Sequence, residues 1–200
     1  FKDIERACQI LPNFIYNAEI TFIEINKTLR NIQKKNLNYF KKRKIKWSKS
    51  LNLKSRLPSI IYSNEFFDCF PVRQFLYNNN YWSEKYIDFN EKDNRYYSIY
   101  KRVNSKNLLD YLSKYKDKKI YEVSYSRNKY FKQICRYLKK NRGLCILVDY
   151  GYYEKIRNFT LQSIYNHKKT SIFENVGQQD ISSHVNFDEL IKIAKENKLK

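Results

Sequence analysis

Apolar positions along this chain fall into two rhythms, and their alternation predicts the architecture. Residues 2–16 place Ile4, Cys8, Leu11 and Ile15 at helical spacing, with Pro12 bending or ending the run. Glu19-Ile20-Thr21-Phe22-Ile23-Glu24-Ile25 is β-branched and largely apolar between Asn17 and Asn26, the pattern of a buried strand that closes on an acid. Helical spacing returns over 28–38 with Leu29, Ile32 and Leu37. Lys44-Ile45-Lys46-Trp47 predicts a short strand, and after a polar loop Leu57-Pro58-Ser59-Ile60-Ile61 leads into another, 58–64. Helix and strand alternating in this way argue for an α/β chain with a parallel sheet and helical crossovers.

The rhythm changes over about 75–103. Turn clusters Asn78-Asn79-Asn80 and Glu91-Lys92-Asp93-Asn94 separate the aromatic runs Tyr81–Phe89 and Tyr96–Tyr100, which predicts an inserted antiparallel meander. Its tyrosines suit a half-exposed sheet face or, alternatively, base stacking. Helices are predicted over 105–115 and 126–140, the second capped by Ser126 and stopped at Asn141-Arg142-Gly143. Leu144-Cys145-Ile146-Leu147-Val148 is unbroken apolar sequence, expected of a strand buried on both faces, and it ends in Asp149-Tyr150-Gly151. A long irregular stretch follows. A last helix is predicted at Phe187–Asn197, with Asn186 and Glu189 suited to a capping pair. No repeat or low-complexity linker divides the chain, so one domain over 1–200 is expected.

Composition changes this picture in three places. Forty Lys and Arg against 20 Asp and Glu give a net charge of +20. Such a charge suits nucleic acid or an anionic membrane, but it also follows from a general enrichment in Lys, Asn, Ile and Tyr, and no specific nucleic-acid site is expected. The four cysteines lack metal-ligand spacing and read as reduced, packed thiols in a reducing compartment. No apolar run approaches a membrane span and no signal-peptide layout opens the chain. There is no methionine, and position 1 falls inside a helical pattern, so an internal piece of a longer protein is expected.

The chemistry gathers where strands end. Three predicted strands close on acids: Glu24, Asn64-Glu65 with Asp68, and Asp149. In open α/β sheets ligands sit at the carboxyl ends of strands, and an acid after a strand can accept both hydroxyls of a ribose. By spacing alone, a strand-ending Glu is more often a plain solvated residue. Asp68 has a second reading as an N-terminal cap, Trp47 as a core aromatic, and His184 as a structural histidine.

Asn64-Glu65-Phe66-Phe67-Asp68, Pro71 and Arg73-Gln74-Phe75 resemble the signature of the MidA family of S-adenosyl-L-methionine-dependent methyltransferases, which includes a mitochondrial complex I assembly factor. The resemblance continues in order through Phe22-Ile23-Glu24-Ile25-Asn26, the Gly143–Gly151 strand, Thr160-Leu161-Gln162, His167, and the box Gly177, Asp180-Ile181, His184-Val185 and Phe187. It departs at Asn158, Phe159, Val176, Ser182 and Asn186, and the family's glycine-rich loop would lie before residue 1.

What the resemblance implies is a doubly wound, Rossmann-like class I methyltransferase sheet with the meander as an insertion. It implies S-adenosyl-L-methionine as cofactor, with Glu24 on its ribose; Trp47, at the end of its short strand, is then expected against the adenine and Asn64 near the transferring methyl. The acceptor it implies is an arginine on a protein, with a complex I subunit as one candidate, in the cytoplasm of a bacterium or the mitochondrial matrix. Glu65 and Asp68 would then hold the guanidinium, and Asp149, Tyr150, Asp180 and His184 would border the acceptor pocket. Lacking the glycine-rich loop, this stretch alone is expected to transfer methyl groups negligibly. A methyltransferase for RNA or another anionic substrate, and a non-catalytic assembly module of the same fold, are the alternatives.

Overall fold

In the computed structural model, residues 6, 14, 17–38, 44–51 and 56–199 are described. Most of the helix expected over 2–16, Cys8 included, lies outside the described residues. The chain divides into two compact units, Phe1–Ser55 and Arg56–Lys200.

In the first unit β1 (Glu19–Ile23), α1 (Lys27–Asn36) and β2 (Lys44–Ser48) form a β-α-β crossover. The strands run parallel from Glu19↔Lys44 to Ile23↔Ser48, as the alternation predicts. Asn26 starts α1 by accepting the N–H groups of Thr28 and Leu29 on its side chain, and Lys34 and Lys35 sit favourably at the negative end of the helix dipole.

The second unit opens with β3 (Ser59–Asn64), which pairs in parallel with β8 (Gly143–Val148) from Ser59↔Gly143 to Asn64↔Val148. Between them in sequence, β4 (Arg73–Asn78), β5 (Tyr81–Asn90), β6 (Arg95–Arg102) and β7 (Ile120–Val123) make an antiparallel sheet in the order β6-β5-β4-β7. The meander is therefore real. It gains a fourth strand from beyond α2 (Lys106–Leu112) and the 3-10 turn Ser113–Lys118. Phe75, Trp82, Val103, Leu112, Tyr121 and Val123 form the core of this layer. Burying one such large side chain contributes about 1.5–3 kcal/mol.

α3 (Tyr125–Asn141) packs on β8 and buries Phe131, Ile134, Cys135 and Leu138 at helical spacing. Its cap is Ser124, not Ser126: β7 ends at Val123, and the next residue keeps extended backbone (φ −115°) and accepts the N–H of Arg127 on its hydroxyl. Strand β8 is also not covered on both faces. Leu144, Ile146 and Val148 are exposed beside Ile60 and Tyr62, because β3 and β8 pair only with each other among the described residues and α3 covers one side.

Gly151 begins β9 (Gly151–Tyr152), which runs parallel to β13 (Val185–Asn186) so closely that a Cβ at Gly151 would strike the Val185 carbonyl and the Phe187 ring. The stretch expected to be irregular contains a small antiparallel sheet, β11 (Lys168–Thr170), β10 (Gln162–Tyr165) and β12 (Asp180–Ser182), with β10 central. Its strands are only three or four residues long, too short for a periodic signal. Helix α4 (Phe187–Glu196) closes the chain, capped by Asn186 on the N–H of Glu189. No helix among the described residues is long and apolar enough to cross a membrane.

Candidate functional site

The parallel register of β3 and β8 brings Asn64 beside Val148, so both strands release their polar ends at one edge. Glu65 leaves β3 in a left-handed conformation (φ +47°), which costs a non-glycine residue about 1–2 kcal/mol. Its N–H is held by the Val148 carbonyl at 2.9 Å. The following turn is shaped by Asp149. One of its oxygens accepts the N–H groups of Phe66 (3.1 Å) and Phe67 (2.8 Å), and the other accepts that of Tyr150 (2.9 Å). A carboxylate engaged by three main-chain donors builds the loop, a role that sequence reasoning did not assign to it.

Below the loop lies an aromatic cluster. Phe67 is fully buried and meets Phe66, Phe70, Tyr130 and Phe131 with ring centroids 5.5–6.1 Å apart. Burial pushes the Tyr130 phenol up to about 12. Next to this cluster, buried Arg127 donates to the carbonyls of Phe67 (2.7 Å) and His184 (3.2 Å) and to the Ser183 hydroxyl (2.8 Å). Desolvation pulls the guanidinium below its ordinary value. Ser183 in turn donates its N–H to the Asp68 carbonyl at 3.0 Å. Arg127 thus ties the loop after β3 to the segment between β12 and β13. The sequence carried one sign of it: Arg127 stands in phase with Phe131, Ile134 and Leu138 on the buried stripe of α3.

A second buried network supports His184. Glu122 accepts from Gln74 (2.6 Å) and from the N–H and hydroxyl of Thr160 (2.9 and 2.6 Å), and the Thr160 hydroxyl accepts the His184 N–H at 2.9 Å. His184, Thr160, Phe159, Arg157 and Lys169 line an open cleft of about 380 Å³.

The result is a group of carboxylates. Asp68 is held above its usual range first by burial and then by the neighbouring charges of Asp149, Asp180 and Glu65, with Arg127 opposing. The same burial, with Asp68 beside it, raises the thiol of Cys69, which is exposed and not packed as expected; Cys135 and Cys145 fit the expectation better, burial raising each to about 11. Among the described residues, Glu65, Asp68 and Asp180 have no salt-bridge partner, and the Asp68 carboxylate takes part in no hydrogen bond. Asp68 therefore does not act as a side-chain cap. Tyr150 is exposed, its carbonyl accepting the Val185 N–H at 2.8 Å.

The other two expected residues lie in the first unit. Glu24 follows β1, its N–H bonded to the Ser48 carbonyl and one carboxylate oxygen accepting the Asn26 N–H at 2.8 Å. Trp47 stacks on Phe22 (5.5 Å, 17°), donates its indole N–H to Gln33 at 3.0 Å and carries the Lys34 ammonium 5.7 Å from its ring centre. These contacts hold Trp47 between β1 and α1. No metal-ligating cluster occurs among the described residues.

Comparison with known proteins places these features in context. The family model for S-adenosyl-L-methionine-dependent methyltransferases matches residues 2–200. A curated relative named "Protein arginine methyltransferase NDUFAF7 homolog, mitochondrial", from Caenorhabditis elegans, is 25% identical over 183 residues, covering 90% of this chain and 40% of the relative. The Danio rerio protein arginine methyltransferase NDUFAF7 is 24% identical over 153 residues, 75% of this chain and 36% of its own. The chain thus spans about two fifths of the curated relatives it matches. Among solved structures, a Burkholderia thailandensis protein bound to S-adenosyl-homocysteine superposes with a TM-score of 0.73 at 19% identity, over 90% of this chain and 48% of that one. A native crystal structure from the same organism gives 0.74 at 18% identity, over 90% and 50%. The likeness shows the fold.

Proposed function

We propose, for a chain that belongs to the MidA family of S-adenosyl-L-methionine-dependent methyltransferases, that the whole protein methylates arginine on a protein substrate and that Glu65 and Asp68 hold the acceptor. One observation carries the reading. In a chain of +20 net charge, Glu65 and Asp68 follow β3 within electrostatic reach of Asp180, which opens β12; among the described residues none of the three has a salt-bridge partner, and the Arg127 guanidinium that opposes their repulsion donates to carbonyls and a hydroxyl instead. Mutual repulsion makes such a cluster unfavourable unless something cationic fills it. A guanidinium does so with paired hydrogen bonds to carboxylates. An anionic acceptor such as RNA would be repelled at this place.

When bound, S-adenosyl-L-methionine supplies an electrophilic methyl group on a sulfonium. Glu24 suits its ribose: the Asn26 N–H fixes the carboxylate at the end of β1 and leaves it accessible to hydroxyl donors. At the acceptor side, Glu65 and Asp68 orient a guanidinium nitrogen, whose lone pair forms the new N–C bond as the C–S bond breaks. The nitrogen then loses a proton, which Asp68, raised in pKa by burial and by its neighbours, is assigned to accept. Asn64 stands one residue before Glu65 and is assigned to the methyl-transfer edge. Tyr150, Asp180 and His184 are assigned to the acceptor pocket, and Trp47 to the adenine side. The finer architecture, a doubly wound sheet in one domain, is part of the same proposal; the three parallel pairs β1/β2, β3/β8 and β9/β13 support it. The assignment to a mitochondrial matrix or bacterial cytoplasm is also part of the proposal, and the word mitochondrial in the relatives' names supports the first; complex I assembly as the setting rests on the family resemblance.

The test uses the full-length protein. S-adenosylhomocysteine is titrated calorimetrically, and labelled methyl transfer to protein is followed with and without RNase. Glu65→Gln should keep cofactor affinity and lower transfer by about 10²-fold, the effect of losing an orienting contact. Full activity in that variant overturns the carboxylate clamp.

A further inference from the structure

Beyond Gln74↔Lys85, strand β5 loses its contact with β4 and continues as a two-stranded ribbon with β6. The strand alternation sorts the chemistry of this ribbon by face. Glu84 and Asp88 point to one side, where Glu84 is occupied by Arg73 and Tyr86. The other side has no acid. It presents Ile87 and Phe89 from β5 and Tyr96 and Tyr100 from β6, each between 40% and 57% exposed. Two cations border this apolar patch, the Lys85 ammonium 5.5 Å from the ring centre of Phe159 and the Arg102 guanidinium 5.1 Å from that of Tyr81.

The face leads to the candidate site. Phe159, under Lys85, is also a wall of the cleft that contains Thr160 and His184, and Arg157 and Lys169 add positive charge there. Cationic and apolar surface thus runs from the ribbon into the cleft lined by His184, whose neighbour Ser183 is bonded to the Asp68 carbonyl. Exposed apolar surface with segregated charge of one sign fits a binding face for a partner of the other sign.

We propose that this face of β5 and β6 docks an acidic, apolar segment of the protein substrate, so that the acceptor arginine reaches the carboxylates while flanking acids meet Lys85, Arg102, Arg157 and Lys169. The proposal rests on the arginine reading above. Single-stranded RNA fits less well. Base stacking needs free ring faces, whereas Phe89 and Tyr96 pack on each other at 4.8 Å and Lys85 and Arg102 lie over the rings of Phe159 and Tyr81.

The experiment measures fluorescence anisotropy of the full-length protein at physiological salt with three labelled probes. They are a synthetic peptide alternating Glu with Leu and Phe and containing no arginine, the same peptide with Lys in place of Glu, and oligouridylate. The acidic peptide should bind most tightly. Lys85→Glu with Arg102→Glu should weaken it by about tenfold or more, and Ile87→Asp, an exposed position that leaves the core intact, should weaken it comparably. Lys139→Glu with Lys140→Glu, the same charge change at the end of α3, should alter it less than about twofold. Equal losses in the two double variants would reveal general attraction to a basic chain and overturn the proposal. Tighter binding of oligouridylate, lost in Ile87→Asp, would overturn it in favour of RNA, and absence of peptide binding would overturn it outright. Because the peptide lacks arginine, this result does not depend on methyl transfer: a failed Glu65→Gln test with intact peptide docking indicts the arginine reading, and the converse indicts the docking face.

Discussion

Asp68 makes the exchange between stability and function measurable at a single residue. Its folded-state pKa is raised, so the native protein binds its proton more readily than the unfolded chain does. The stability from this group is therefore fully present below the ordinary value of 3.8 and is lost as pH rises through the folded value. Asp68→Asn should relieve that penalty: its urea midpoint should overtake the parent's as pH is raised from about 4 to about 8, while methyl transfer by the full-length protein falls. A midpoint that drops at neutral pH would mean the carboxylate stabilises the turn after all. For Glu24 the proposed partner is the cofactor. Replacing it with Ala should weaken S-adenosylhomocysteine binding by about 1–3 kcal/mol, the loss of a charged acceptor, measurable by calorimetry. Arg127 belongs to the support beneath both carboxylates of the acceptor side. Arg127→Met would leave the Phe67 and His184 carbonyls and the Ser183 hydroxyl without their donor, and should cost about 3 kcal/mol or more in chemical unfolding.

At the scale of elements, the start of α3 gives a direct test. Ser124→Ala should destabilise the protein by about 1 kcal/mol, whereas Ser126→Ala, two positions past the cap, should be nearly neutral. The sequence misled here because two serines two residues apart suit a cap equally, and only the end of β7 decides between them. Where side-chain periodicity was long enough, strands and helices could be read: β1, α1, β3, the meander, α3 and α4 all stand within a few residues of expectation. The short strands β9 to β13 could not, since two to four residues carry no period, and they form through pairing with distant partners. The acids at the strand ends were visible as residues. Their support was not, because Glu122, Thr160 and Arg127 become neighbours of the site only through tertiary contacts across 38 to 60 positions.

For the whole molecule, an excess of 20 positive charges implies self-repulsion that salt should screen. The thermal midpoint should rise by a few degrees between about 0.02 and 0.2 M salt, as the Debye length contracts to below about 10 Å. An unchanged midpoint would mean that the cations are locally compensated. Charge composition could be counted in the sequence, but its arrangement could not: the carboxylates lie together at one edge while the acid-free ribbon face lies elsewhere in the same unit. The binding of three segments by Arg127 and Asp149 has a further consequence, in time. The amides of Phe66 and Phe67 rest on Asp149, that of Ser183 on Asp68, that of His184 on Thr160 and that of Val185 on Tyr150. None of these loops can swing away alone without stripping the buried guanidinium of an acceptor. Deuterium should therefore enter all five amides at one shared rate, marking a single cooperative opening by which the acid site forms or dissolves as a unit.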